Sequence, residues 1–78
     1  MTRLRIEVAR KHRGWTQRQL SDHSGVASTD ISKIETGRYL PGPFQRQRLA
    51  RALKLKPEQL LEEVEVQGFD RRRPAGAF

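Results

Sequence analysis

Residues 16–37 read TQRQLSDHSGVASTDISKIETG, and this stretch decides the fold. Thr16 has the character of an N-cap, since its hydroxyl can accept from the unpaired N–H groups of the turn that follows. A helix is predicted from Gln17 to about Ser24. Gly25 closes it with a positive φ, a conformation that costs glycine little. Val26-Ala27 leads into a further helix over Ser28–Thr36, with Ile31 and Ile34 three residues apart on one face, and Gly37 ends it. Two helices that cross closely at such a turn need a small residue in the first and a glycine between them. They also need apolar residues that knit both to a scaffold. Ser21, Gly25 and the set Leu20, Val26, Ile31 and Ile34 fill those places in order.

Working outward, a helix is expected from about Leu4 to Arg13, stopping at Gly14. Two stripes compete for its buried face, Leu4, Val8 and Trp15 or Ile6, Ala9 and Arg13, and periodicity does not choose between them. On the other side, Arg38 to Pro43 reads as a loop, because two prolines and a glycine leave no helix to continue. A fourth helix is expected from Phe44 to about Leu53, with Leu49, Ala50 and Leu53 inward. Pro57 suits the first position of a fifth, where its missing N–H would be unpaired anyway; that helix would carry Leu60, Leu61 and Val64. Glu63 to Gln67 alternates polar and apolar, which leaves a short strand open there. The expected organisation is one domain over residues 1–66 and a basic, flexible tail over residues 67–78, with no internal repeat.

Composition narrows the function. The 78 residues hold 16 Lys and Arg against 9 Asp and Glu, a net charge of +7. The excess is uneven: residues 3–56 carry 13 bases and 4 acids, whereas residues 57–65 carry 4 acids and no base. A basic body with an acidic end suits a protein that turns one face to a polyanion. There is no cysteine, so disulfides and thiolate metal sites are excluded. His12 and His23 have no partners at metal-binding spacing, and no metal or cofactor is expected. No nucleophile set or phosphate loop is present, so the chain does not read as an enzyme. His23 and Ser24 are helical neighbours that do not face each other, and no third group orients them. No apolar run approaches the roughly 20 residues that span a bilayer, and Met1-Thr2-Arg3-Leu4 lacks a secretory core. A soluble cytoplasmic protein is the expectation.

With Gly14, Thr16-Gln17, Leu20, Gly25-Val26, Ile31, Ile34-Glu35, Gly37, Pro41 and Leu60-Leu61 in this order, the sequence resembles the Xre-type, or Cro and phage-repressor-like, helix-turn-helix regulators. The resemblance covers about residues 4–64. It implies an all-α, compact five-helix bundle of the lambda-repressor-like kind that binds operator DNA, usually as a twofold dimer. It places Gln17 where the family grips a phosphate at the start of the second helix. Ser28, Thr29, Ser32 and Lys33 fall on the groove-facing side of the third helix, where they can reach base edges. Lys33 could donate to guanine O6 and N7. Arg38 and Tyr39, just past that helix, look like phosphate contacts that fix register. Arg10 and Glu35 resemble the family's charge pair between the first and third helices.

Three residues depart from the pattern. Ala27 stands where the family prefers a Ser or Thr cap, Asp30 where a neutral hydroxyl is commoner, and Arg46 where an apolar residue is usual. The resulting expectation is a homodimeric transcriptional regulator on a palindromic double-stranded operator, with the fifth helix and the stretch Leu60–Phe69 as dimer surface. Two alternatives stay open: an antitoxin whose main partner is a toxin protein, and a protein-interaction module that keeps the bundle without DNA binding. An RNA role is less favoured, since single-strand readers stack bases on exposed aromatics. Trp15 reads as a packing residue. Arg71-Arg72-Arg73 reads as a solubilising tail with a minor-groove or phosphate-tracking role open.

Overall fold

The computed structural model describes residues 1–66. The basic tail expected over 67–78, and the end of the Leu60–Phe69 surface, lie outside the described residues. The chain forms β1 (Thr2–Leu4), α1 (Arg5–His12), α2 (Gln17–Ser24), α3 (Ser28–Glu35), α4 (Pro43–Leu53), a single 3-10 turn (Pro57–Gln59) and β2 (Glu63–Glu65).

The centre of the chain follows its local signals. At the start of α2, the Gln19 N–H donates to Thr16 Oγ1 (3.1 Å) while the Thr16 N–H donates to Gln19 Oε1 (2.8 Å), a reciprocal cap. Gly25 adopts φ 77° and its N–H returns to the Ser21 carbonyl at 2.8 Å. The chain is thereby turned into α3 without a Cβ in the left-handed region. Helix α3 starts at Ser28 behind Ala27, which provides no side-chain cap. At its far end the Arg38 N–H donates to the Lys33 carbonyl (2.8 Å) and the Gly37 N–H, at φ 79°, to that of Ile34 (3.1 Å). This double closure fixes the direction in which the chain leaves the helix.

The expected fifth helix is corrected: among the described residues, four α-helices and a two-stranded sheet stand in place of five helices. Pro57 does begin a helical turn, but it lasts three residues. The backbone of 60–66 then pairs with the N-terminus. The Ile6 N–H donates to the Leu60 carbonyl (3.0 Å), that of Arg5 to Glu62 (2.8 Å) and that of Val66 to Met1 (2.9 Å). Between these bonds Arg3 faces Val64 in an antiparallel ladder. Charge supports the register, with Arg5 Nε on Glu62 Oε1 and the terminal amine on Glu65 Oε2, each at 3.0 Å. The alternation around Val64 is therefore strand alternation, and the first helix begins one residue later than expected because Leu4 belongs to β1.

The core is Ile6, Leu20, Val26, Ile31, Ile34, Leu49, Ala50, Leu53 and Leu60, so every α-helix gives it at least one side chain and Leu60, just past the 3-10 turn, completes it. In α1 the buried face runs through Ile6, Glu7 and Arg10. Ala9, of the Ile6 stripe, packs on the core, and Leu4 and Trp15 touch it from the two ends, whereas Arg13 is exposed. The Arg13 guanidinium lies over the Trp15 indole, 5.2 Å from its centroid, and His23 stacks on the same ring with centroids 4.1 Å apart. Trp15 thus packs between α1 and α2. No helix among the described residues is long and apolar enough to cross a membrane.

Helix α4 ends on Lys54 at φ 57°, a left-handed residue with a Cβ. The Leu55 N–H closes on the Ala50 carbonyl at 2.8 Å, the same closure that Gly37 makes for α3. Glycine relieves the steric cost at this position. Lys54→Gly is expected to stabilise the fold by about 0.5–1 kcal/mol, which raises the melting temperature by roughly 2–8 °C in a thermal scan.

Candidate nucleic-acid interface

Helices α2 and α3 meet across the Gly25 turn and leave a shallow open groove between them. It is lined by Thr16, Gln17 and Arg18 from the start of α2 and by Ser28, Thr29 and Ser32 from α3. Three of the four expected base-contact residues therefore share one groove with the expected phosphate contact Gln17. Ser28 and Ser32 are half-buried on the flank towards α2; Thr29 is exposed, and Lys33 is exposed one turn further along α3. Ile31, Ile34 and Glu35 occupy the opposite, buried face. The helical period produces this division, because residues 29 and 33 lie four apart while 31 and 34 point into the core.

The first turn of α2 adds two features. With the Gln19 N–H taken up by the Thr16 cap, the backbone N–H groups of Gln17 and Arg18 have no intrahelical partner and make this helix start favourable to an anion. Arg18 is exposed beside them and holds Asp22 only loosely, at 3.6 Å. Among the described residues neither Lys33 nor Arg38 is within salt-bridge distance of a carboxylate. The acidic stretch lies on the strand side, where Glu62 and Glu65 are neutralised within the chain.

Below the groove sits the Arg10–Glu35 pair. Arg10 Nε donates to Glu35 Oε2 (2.8 Å) and Nη2 to Oε1 (3.1 Å), a two-pronged bond, and Nη1 donates to the Trp15 carbonyl (2.7 Å). The two side chains are 10% and 3% exposed, so both charges are removed from water and each depends on the other. Gln17 joins them, its Nε2 donating to Glu35 Oε1 at 3.1 Å. The side chain at the mouth of the groove is thus held from beneath by the ion pair. Its second amide hydrogen and its backbone N–H remain as donors.

Arg38 is exposed and directed by the closure at Gly37. Tyr39 is 39% exposed, and its hydroxyl donates to Gln45 Oε1 at 2.9 Å. A phosphate contact from that hydroxyl as donor requires this bond to be exchanged. Gln45 in turn donates from Nε2 to Asp30 Oδ2 at 3.2 Å. Asp30, Gln45 and Tyr39 therefore form a chain linking α3, α4 and the loop between them. Arg46, the other departure, places its Nε on the Pro41 carbonyl at 3.1 Å and pins the same loop. Sequence reasoning missed Arg18 and Gln45 as members of this surface. The place of Arg18 beside Gln17 could have revealed the first; nothing local could have revealed a partner of Asp30 fifteen residues away.

Comparison with known proteins agrees with this geometry. A family model described as a helix-turn-helix domain matches residues 4–66. The chain is 34% identical over 55 residues to the competence pilus inhibition repressor of Acinetobacter baylyi, an alignment covering 70% of this chain and 50% of that protein. It is 40% identical over 57 residues to the HTH-type transcriptional repressor RghR of Bacillus subtilis, covering 72% and 42% respectively. The chain thus spans about half the length of the curated relatives it matches. Among solved structures, the restriction-modification controller protein C.AhdI from Aeromonas hydrophila superposes with a TM-score of 0.67 at 26% identity, covering 73% of this chain and 86% of that one. The chain belongs to the helix-turn-helix family, in its Xre-type branch.

Proposed function

We propose that this protein is a sequence-specific double-stranded DNA-binding transcriptional repressor that inserts α3 into the major groove as one half of a homodimer. The observation that carries this reading is the groove at the α2–α3 crossing. It sets Gln17 and the α2 N-terminus beside Ser28, Thr29 and Ser32, with Lys33 exposed further along α3 and Arg38 exposed just past its end, neither in an ion pair among the described residues. Gln17, Arg38 and the first turn of α2 hold phosphates and fix register; Ser28, Thr29, Ser32 and Lys33 meet base edges. The names of the relatives, two of them repressors, support the sign of regulation. Twofold pairing through the surface of the 3-10 turn and β2, where Leu61, Val64 and Val66 remain partly exposed, presents two copies of α3 to one face of the duplex. A soluble cytoplasmic location follows from this role.

Selection of bound sequences from a random duplex library at roughly 150 mM salt, where non-specific phosphate binding is suppressed, tests the proposal. The expected product is an inverted repeat with half-site centres about 34 Å apart, one helical turn. No enrichment over a scrambled control contradicts it. On the selected site, Lys33→Ala is expected to cost about 1–3 kcal/mol and to relax the choice at one base pair per half-site, measured by competition with singly substituted duplexes.

A further inference from the structure

We infer that Asp30, held by Gln45, is a specificity-determining residue that accepts a hydrogen bond from the exocyclic amine of a cytosine or adenine in the major groove. The inference rests on the DNA-reading role proposed above for α3. Asp30 occupies the third position of that helix, where a carboxylate is ordinarily explained by the helix dipole or by folding back onto the N-cap N–H. Here the cap residue is Ala27 and the carboxylate does not fold back. Its Oδ2 is drawn sideways to Gln45 Nε2 on α4 (3.2 Å), and Gln45 is itself oriented by the Tyr39 hydroxyl (2.9 Å). An amide and a hydroxyl fix the direction of the carboxylate without cancelling its charge.

Among the described residues no cation lies within salt-bridge distance of Asp30, and Oδ1 accepts no side-chain hydrogen bond. The side chain is half-buried on the α4 flank of α3, and the exposed, unpaired Lys33 lies three residues further along. Had the acid served only to neutralise this helix, Lys33 at that spacing was the available partner. Lys33 is instead exposed, and Asp30, half-buried against Gln45, keeps Oδ1 without a side-chain donor among the described residues. A fixed anion on a phosphate-facing surface weakens binding to every duplex unless a base donates to it. In the major groove the base-pair donors are cytosine N4 and adenine N6, and the usual partner of an aspartate is cytosine. Lys33 on guanine acceptors and Asp30 on an amine donor together make a reader of mixed sign, which rejects the reversed base pair by repulsion as well as by lost bonds.

The test uses the full chain, the duplex selected by the unaltered protein, and a panel in which each base pair of a half-site is replaced in turn. Asp30→Asn preserves size and the bond from Gln45 while removing the charge. Wild type is expected to prefer an amine-bearing base roughly tenfold at one position per half-site. Asp30→Asn should reduce that preference to within about threefold and bind random duplex more tightly. Gln45→Leu should relax the same position alone, with the melting temperature and the other positions unchanged, which a merely structural role for Gln45 does not produce. If wild type selects a site but Asp30→Asn keeps the same preference at every position and the same affinity for random duplex, the inference is overturned while the DNA-reading role stands. If wild type itself selects no site, the DNA-reading role fails and the inference falls with it.

Discussion

Replacing Arg10 with alanine is expected to leave the chain largely unfolded at room temperature. The substitution strands Glu35, 3% exposed, without its two-pronged partner and also leaves the Trp15 carbonyl without the donor at 2.7 Å. Breaking a buried pair from one side costs about 3–5 kcal/mol, which matches the whole stability that a domain of this size commonly has. Far-UV circular dichroism and a urea titration measure the loss. The double variant Arg10→Met with Glu35→Leu is the informative companion, because removing both charges leaves nothing stranded and should restore folding. That variant also removes the support of Gln17, which bonds to Glu35 Oε1, so it should fold yet bind operator DNA more weakly. Recovery of folding by Arg10→Ala alone, without loss of stability, would show that the pair is not buried as described.

Affinity for DNA is expected to fall by roughly 2,000-fold between 50 and 200 mM salt, with a log–log slope of about −5.4. The number comes from the cations of the groove side: Arg18, Lys33 and Arg38 are exposed in each subunit, and a dimer brings about six of them to the duplex. The strand-side bases contribute less, since Arg5 and the terminal amine are spent on Glu62 and Glu65. Fluorescence anisotropy of a labelled duplex across a salt series provides the slope. Arg38→Ala should make it shallower by about 2, one contact being lost in each subunit, without altering base preference, as befits a phosphate contact. A slope near zero would contradict the assignment of this surface to the phosphate backbone.

The parts of the fold that were legible in the sequence are those governed by short-range chemistry. The Thr16–Gln19 cap, the turn at Gly25 and the stop at Gly37 each involve residues at most five apart, and the burial of Leu20, Ile31 and Ile34 follows from helical spacing. The stretch after Pro57 failed for the opposite reason. Leu60, expected to begin a dimer surface, is instead fully buried in the core, and whether residues 60–66 coil or extend depends on hydrogen bonds to residues 1–6 at the other end of the chain. A period-2 pattern of only five residues, Glu63 to Gln67, was too short to outweigh the helical reading. The buried face of α1 was undecidable for a related reason: Ile6 and Arg10 point inward because Arg10 meets Glu35, twenty-five residues on. At the candidate interface, the motif brought Gln17, Ser28, Thr29 and Ser32 to one groove. The link from Asp30 through Gln45 to Tyr39 rests on a side chain of α4 that no sequence spacing connects to α3.

The central claim is that α3 enters the major groove with α2 seated on the backbone beside it. Amide chemical-shift mapping of the isotope-labelled chain, titrated with its selected duplex, tests this most directly. The largest shifts are expected at Thr16–Arg18, Ser28–Lys33 and Arg38–Tyr39, with Arg51 of α4 little changed. Shifts concentrated in Glu58–Val66, or on the arginines of α4, with residues 28–33 silent, would contradict it.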